Sequence, residues 1–305
     1  MNETEIKQAA LKVAPKGKKS LKATTLVDTG WYKLLLQGPT GSGKTRTVAE
    51  ALQTVNVAGQ PTKVFVASTD IGGNGLSSVR DRLQAVGRED LLANVCYVDF
   101  DDYETFAAFT SGTLVPEVDG KPLWEWDPDL LVHDGFANFQ ESHIWRYVMD
   151  IAPIAKDSTE ARDEGVQASL VEWGQIRRCS LLCIDQFNRL KNPLTGKTPS
   201  KITTVLLDDG KEDKFTHETK RGPLVIGAAR SYMPAAFDYI VTLKAITRPG
   251  SKTPEYSYTC DVGGRAVAKQ RGGEFRKLPE AAMKGADFKT LWQFLTQPPS
   301  EAEVK

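Results

Sequence analysis

No stretch of this 305-residue chain approaches the ~18 to 20 consecutive apolar residues that a membrane span requires. The opening residues, MNETEIKQAALK, lack the basic-then-apolar order of a secretory signal, so the sequence predicts a cytoplasmic protein. Cysteine is scarce: four residues (Cys96, Cys179, Cys183, Cys260) are too few for a disulfide framework in a chain this long. Cys179 and Cys183 have no nearby second pair of Cys or His to complete a zinc site. Net charge is also missing, because 39 Lys and Arg face 39 Asp and Glu, and this excludes a uniformly basic coat for nucleic acid.

What is present is ordinary globular composition, 40% hydrophobic and 26% charged, enough to bury a sizeable core. The charges are zoned. Residues 1–37 carry seven Lys against three acids, residues 95–175 seventeen acids against four bases, and residues 187–271 fifteen bases against eight acids. Such blocks are commonly solvated faces; here they also frame two candidate contact zones.

Short apolar runs alternate with helical stretches. Trp31–Gln37, Lys63–Ser68, Val95–Val98, Leu130–His133 and Ser180–Ile184 read as strands. The intervening segments near 44–55, 77–85, 103–109, 141–150 and 166–178 read as helices. This alternation predicts an α/β fold with a mostly parallel central sheet flanked by helices. Two segments interrupt it. Ser111–Trp126 contains an Asp119-Gly120 turn flanked by apolar residues, which predicts an inserted hairpin. Residues 187–222 are rich in Lys, Thr, Asp, Gly and Pro, which predicts a long basic loop. Ile240–Ile246 and Tyr256–Asp261 read as further strands, residues 1–30 as a Lys-rich arm, 31–275 as the core, and 276–305 as a C-terminal helix and tail.

One motif is individually specific. GPTGSGKT, Gly38 to Thr45, fits G-x-x-x-x-G-K-[ST] directly after a strand and before a helix. A chance match in a chain of this length has odds of roughly one in a hundred. The glycines let backbone N–H groups turn toward phosphate oxygens, Lys44 reaches the β and γ phosphates, and Thr45 offers a hydroxyl to Mg²⁺. Gly38, Pro39, Thr40, Gly41, Ser42, Gly43, Lys44, Thr45 and Arg46 are therefore the candidate ATP contacts. Mg²⁺ also needs a carboxylate at a neighbouring strand end. Asp134 in DLLVHDGF competes for this role with Asp99 or Asp101 in NVCYVDFDD, and we favour Asp134. His133 beside it reads as a packed core histidine. A group that activates water is required for hydrolysis. The position after Asp134 is Gly135, whereas ring ATPases of the AAA+ type place a glutamate there, so Asp70 at the end of KVFVASTD is the candidate.

In this order of features the chain resembles the RecA-type ATPase core, over roughly Trp31 to Gly273. The resemblance implies that SLLCIDQ is the strand whose final residue, Gln186, senses the γ-phosphate, although Asp185 and Asp70 depart from the family's Asn and Glu. It also implies that Lys269 and Arg271, in AVAKQRGG, reach the nucleotide of an adjacent subunit. The compact core is similar to phage-encoded RecA-core ATPases, including those of single-strand annealing and recombination, and a phage-encoded protein would act in the host cytoplasm. This implies single-stranded DNA as a partner and self-association into a filament or ring with a shared nucleotide site. Arg189, Lys191, Lys197, Lys201, Lys220 and Arg221 are the candidate DNA contacts in the basic loop. A helicase, helicase loader or packaging motor, and an ATP-dependent scaffold that does not hydrolyse, are the alternatives; a small-molecule kinase leaves Gln186 and the basic loop unexplained.

Overall fold

The structure, a computed structural model, describes residues 32–56, 58–70, 75–151, 170–212, 219–225, 229–247, 249–250, 254–259, 269–270 and 288–296. The chain is α/β. A nine-stranded mixed sheet runs β10-β9-β1-β7-β6-β2-β3, with β11 also paired to β9 and β8 to β7. The strands are β1 (Lys33–Gly38), β2 (Val64–Ser68), β3 (Val95–Asp99), β6 (Leu130–Asp134), β7 (Ser200–Glu212), β8 (Thr219–Pro223), β9 (Tyr239–Ile246), β10 (Glu255–Thr259) and β11 (Lys269–Gln270). Between β3 and β6 lies a separate small hairpin, β4 (Glu117–Val118) and β5 (Lys121–Pro122). The six strands from β9 to β3 along the sheet are parallel; β8, β10 and β11 are antiparallel to their partners.

Burial on both faces explains why β1 is a continuous apolar run. Leu34, Leu35 and Leu36 are all inaccessible to solvent, each contributing roughly 1.5–3 kcal/mol of apolar burial. Leu34 and Leu36 pack with α1 (Arg46–Leu52), α2 (Gly75–Ala85) and α8 (Phe288–Thr296), through Val48, Leu52, Val79, Leu83, Phe288 and Leu291. Leu35 faces the other layer. That layer contains α3 (Tyr103–Ser111), the short α4 (Leu123–Trp126), α5 (Phe136–Asn138) with the wide π-helical turns that follow it, α6 (Leu170–Arg189) and α7 (Ala229–Tyr232).

The hairpin prediction holds. Asp119 and Gly120 both have positive φ, 51° and 75°, the geometry of a tight two-residue turn that matches strand twist. Two expectations fail together. Ser180–Ile184 is the middle of helix α6, and residues 187–222 are not one long loop, since they contain the end of α6 and strands β7 and β8. A short apolar run is ambiguous between strand and helix until its neighbours are counted. Ile176, Cys179, Cys183 and Phe187 recur at spacings of three and four and are all buried, which is a helical stripe. The Arg189–Asp185 ion pair (2.8 Å) sits at i,i+4 spacing on its exposed side. The missing central strand is SKITTVL, whose β-branched residues suit a pleated surface. Its Lys and Thr content, with Asp and Gly following it, made it read as a loop.

Candidate functional site

A cleft of about 830 Å³ opens at the C-terminal ends of β1, β7, β6 and β2, where ligands commonly sit in open parallel sheets. Its walls combine the Gly38–Thr45 turn, the first residue of α1, one side of α2, Asp70, the Asp134–Asn138 segment, Thr204 and Tyr256. Lys44, Asp70 and Asp134, named from sequence, therefore share one cavity.

Glycine is required in this cleft at two points. At Gly43, φ is +88°, and a Cβ would lie 2.7 Å from the Tyr256 ring. At Gly135, φ is +95°, and a Cβ would lie 2.9 Å from the Asp70 backbone nitrogen. Gly135 thus allows the end of β6 to approach the end of β2, which explains why a larger residue does not follow Asp134.

Asp134 is only 4% exposed. Thr45 Oγ1 donates to its Oδ2 at 2.7 Å, and Thr204 Oγ1 donates to its Oδ1. Since β7 lies between β1 and β6, Thr204 occupies the gap between the phosphate-loop strand and the aspartate strand. The same hydroxyl oxygen accepts from Gly135 N–H at 3.0 Å. Burial pushes the Asp134 carboxyl above its ordinary pKa; the Thr204 and Thr45 hydroxyls pull it down, and Asp70 pushes it up again. Lys44 Nζ donates to the carbonyls of Gly38 and Pro39, both at 3.0 Å. Burial holds its ammonium below the usual pKa, with Asp134 and Asp70 opposing that shift. Ser42 Oγ is buried without a hydrogen-bond partner among the described residues.

Asp70 is exposed to the cleft, and Asn138 Nδ2 donates to its Oδ1. Arg46 stacks its guanidinium over the Tyr256 ring, 4.3 Å from the centroid, and lies 3.5 Å from Glu50. Buried Glu50 in turn accepts from Phe288 N–H at 3.1 Å, tying α8 to the helix that follows the loop. Asp99, the rival aspartate, ends β3 on the far side of β2, accepts from Tyr97 OH (2.6 Å) and does not line the cleft; nor does Asp101. His133 is a core residue as expected. It is surrounded by Phe106, Phe136, Phe139 and Phe187, and burial lowers its pKa to about 3.

Other candidates lie elsewhere. Gln186 is on α6, its Oε1 accepting from Thr110 Oγ1 at 3.3 Å, and it is absent from the cleft. A helix in place of the expected strand carries it to the layer below the sheet. Thr204 is the polar residue that the tertiary fold puts at that central position. Lys197 is held by Asp129 (2.8 Å) and Asp127 (3.0 Å), and Lys201 is wholly buried. Lys201 is therefore not available to a DNA backbone, whereas Lys197 is part-exposed with its charge already paired. Arg189 and Lys191 are exposed, Arg189 paired with Asp185. The side chains of Lys220, Arg221 and Lys269, and all of Arg271 and residues 1–31, lie outside the described residues.

Thr204, Asn138, Tyr256 and Arg82 were not found by sequence reasoning. Thr204 had a signal, the β-branched run after α6; the other three are brought to the cleft only by packing. Hard oxygen donors from Thr45 and Asp134 suit Mg²⁺, which takes one or two carboxylates plus phosphate and water. No group of three or more His, Cys, Asp or Glu that could hold a metal unaided occurs among the described residues. No helix among them is long and apolar enough to cross a membrane. A scan against protein-family models finds no match, and no curated protein matches the sequence.

Proposed function

We propose that the chain binds and hydrolyses ATP with Mg²⁺. The observation that carries this reading is the Thr45–Asp134 contact at 2.7 Å at the end of a G-x-x-x-x-G-K-T turn, with Lys44 in the same cleft. The residues fit the nucleotide. Ser42 Oγ is a buried hydroxyl without an acceptor, Lys44 is a desolvated cation, and the two loop carbonyls it now engages are replaceable by stronger anionic acceptors. Mg²⁺ bound by Thr45 and Asp134 supplies charge neutralisation for the β and γ phosphates. Thr204 keeps the Asp134 carboxylate oriented. Asp70 accepts the proton of the attacking water, and Asn138 fixes the rotamer in which it does so.

The order of sequence features up to Asp134, which resembles that of RecA-type cores, supports this reading. It also motivates single-stranded DNA as the partner and self-association as the working state. Burial of Lys201 and the pairing of Lys197 move the DNA reading to the β7–β8 ribbon, where Lys211 pairs in register with Lys220. Over residues 209–221 four bases are matched by four acids, so binding there is local and salt-sensitive. The first ribbon pair, at Leu207, lies three positions beyond Thr204, about 10 Å of extended chain. A change at the Asp134 hydroxyl contact is thereby one rigid strand away from the ribbon.

Phosphate release from Mg²⁺-ATP, measured with and without single-stranded DNA, tests the proposal. Turnover should fall at least a hundredfold in both Lys44→Ala and Asp134→Ala, in the range of losing a central electrostatic group. Persistence of turnover in both variants rejects the site. Tight ATP binding with no phosphate release in the unmodified chain would favour the scaffold alternative.

A further inference from the structure

Helix α2 shows two stripes. Leu76, Val79 and Leu83, spaced by three and four, pack with the core around Val48 and Leu52. Ser78, Asp81, Arg82 and Ala85 repeat the same spacing on the adjoining side and line the cleft. The apolar stripe is explained by burial. On the polar side Ser78, Asp81 and Ala85 are exposed, as is ordinary for a surface helix, and only Arg82 is half-buried.

The charged side chains of the cleft differ in how they are answered. Lys44 donates to two carbonyls, Asp70 has Asn138, Asp134 has two hydroxyls, Asp81 is exposed to water, and Arg46, whose Nε makes no hydrogen bond, still has the Tyr256 ring and an ion pair with Glu50. Arg82 has neither an ion pair nor a hydrogen bond among the described residues, and its Nε is shut off from water without an acceptor. A position in the last turn of α2 suits a cation near the helix C-terminus. That preference concerns the charge alone and leaves the buried N–H donor unanswered. A half-buried arginine whose Nε–H is shut off from water without an acceptor, lining the cleft that the Gly38–Thr45 turn also lines, is suited to take an anionic oxygen.

We propose that Arg82 is a phosphate ligand supplied within the chain, its guanidinium hydrogen-bonding a non-bridging oxygen of the polyphosphate held by the Gly38–Thr45 turn. This deepens the ATPase reading and rests on it. The consequence concerns assembly. Two cations of one protomer, Lys44 and Arg82, then contact the polyphosphate from different elements, so the single subunit supplies ATP affinity that does not require a neighbour.

Calorimetric titration of ATP and of inorganic triphosphate into the full chain, at two protein concentrations, tests this with Arg82→Gln and Arg82→Lys. Circular dichroism confirms that each variant is folded. Arg82→Gln should weaken both ligands in parallel, about ten- to a hundredfold, the worth of a charge-assisted hydrogen bond. Arg82→Lys should fall between, keeping the charge and losing the planar fork. Unchanged affinity in both variants overturns the proposal, as does a loss confined to ATP, which would place Arg82 on the nucleoside. If Arg82→Gln does not fold, Arg82→Lys alone decides: affinity equal to that of the unmodified chain overturns the proposal. An unmodified chain that binds neither ligand sinks the ATPase reading and this one with it, whereas binding that depends on Lys44 but not on Arg82 sinks this one alone.

Discussion

The two ends of the parallel sheet both gather charges, yet they treat them differently. At the N-terminal end, Asp129 accepts from Asn56 Nδ2 (3.2 Å), Lys63 N–H (3.0 Å) and Lys197 Nζ (2.8 Å), and Asp127 accepts from Asn192 Nδ2 (2.6 Å) and Lys197 (3.0 Å). Asn192 also donates to the Trp124 carbonyl and accepts from Leu194 N–H. Burial opposes the Lys197 charge, but its hydrogen bonds to Asp129 and Asp127 hold its pKa above the ordinary value. At the C-terminal end, Ser42 Oγ, Arg46 Nε and Arg82 Nε are buried without a hydrogen bond among the described residues, while Lys44 is folded onto its own loop. A network with every member satisfied fixes structure; one with open donors in a cleft is prepared for a ligand.

The sharpest way to break this comparison is to remove one charge from each end. Lys44→Ala should abolish most ATP turnover, a hundredfold or more in phosphate release, while leaving thermal unfolding nearly unchanged. Asp129→Ala should do the reverse. It strands three donors, costing about 2–4 kcal/mol in a denaturant titration, with ATP affinity per folded molecule retained. If Asp129→Ala lowers affinity and leaves stability intact, the division between the two ends is wrong.

A smaller effect is expected from Lys201. Burial and the neighbouring Lys33 and Lys191 lower its pKa from 10.5 to about 7, and its Nζ donates to the Pro199 carbonyl. Because the folded value is depressed for a base, the unfolded chain binds more protons between those two values, so stability rises with pH from about 7 toward 10.5. Lys201→Met should raise the melting temperature at pH 7 and flatten that rise, as read by thermal scans across the range.

The smallest effect is expected at Asp134. Its folded pKa is raised, so the native state holds the proton longer than the unfolded chain, and stability falls as pH climbs through the interval between the two values. Asp134→Asn should therefore modestly raise stability at neutral pH without metal and remove the stabilisation that Mg²⁺ and ATP confer on the unmodified chain. A melting temperature that still responds to Mg²⁺-ATP in this variant would argue against Asp134 as the metal ligand.

Up to Asp134 the architecture was legible because each strand is a compact apolar run bounded by turn residues. The Asp119-Gly120 hairpin and the Gly38–Thr45 turn carry their conformations in single residues. After α6 the signals mislead for definite reasons. SLLCID is apolar over a length that strand and helix share, and only the spacing of Ile176, Cys179, Cys183 and Phe187 separates them. SKITTVL is central in the sheet yet has a lysine as its second residue, Lys201, which is buried and donates to the Pro199 carbonyl. The basic loop dissolves in the same way: a count of cations along the chain does not reveal that Lys197 is already paired with Asp127 and Asp129.

Local chemistry thus settled the α/β class and the phosphate-type turn with Lys44 and Thr45, since these depend on residues adjacent in the chain. Tertiary structure decided which aspartate meets Thr45, through strand order. It also placed Thr204 and removed Gln186, through the exchange of a strand for a helix, and it set Arg82 and Tyr256 on the walls of one cleft. The contacts of Asp134 with Thr45 and Thr204 join residues 89 and 70 positions apart, and no local pattern encodes which distant side chain arrives to share a cavity.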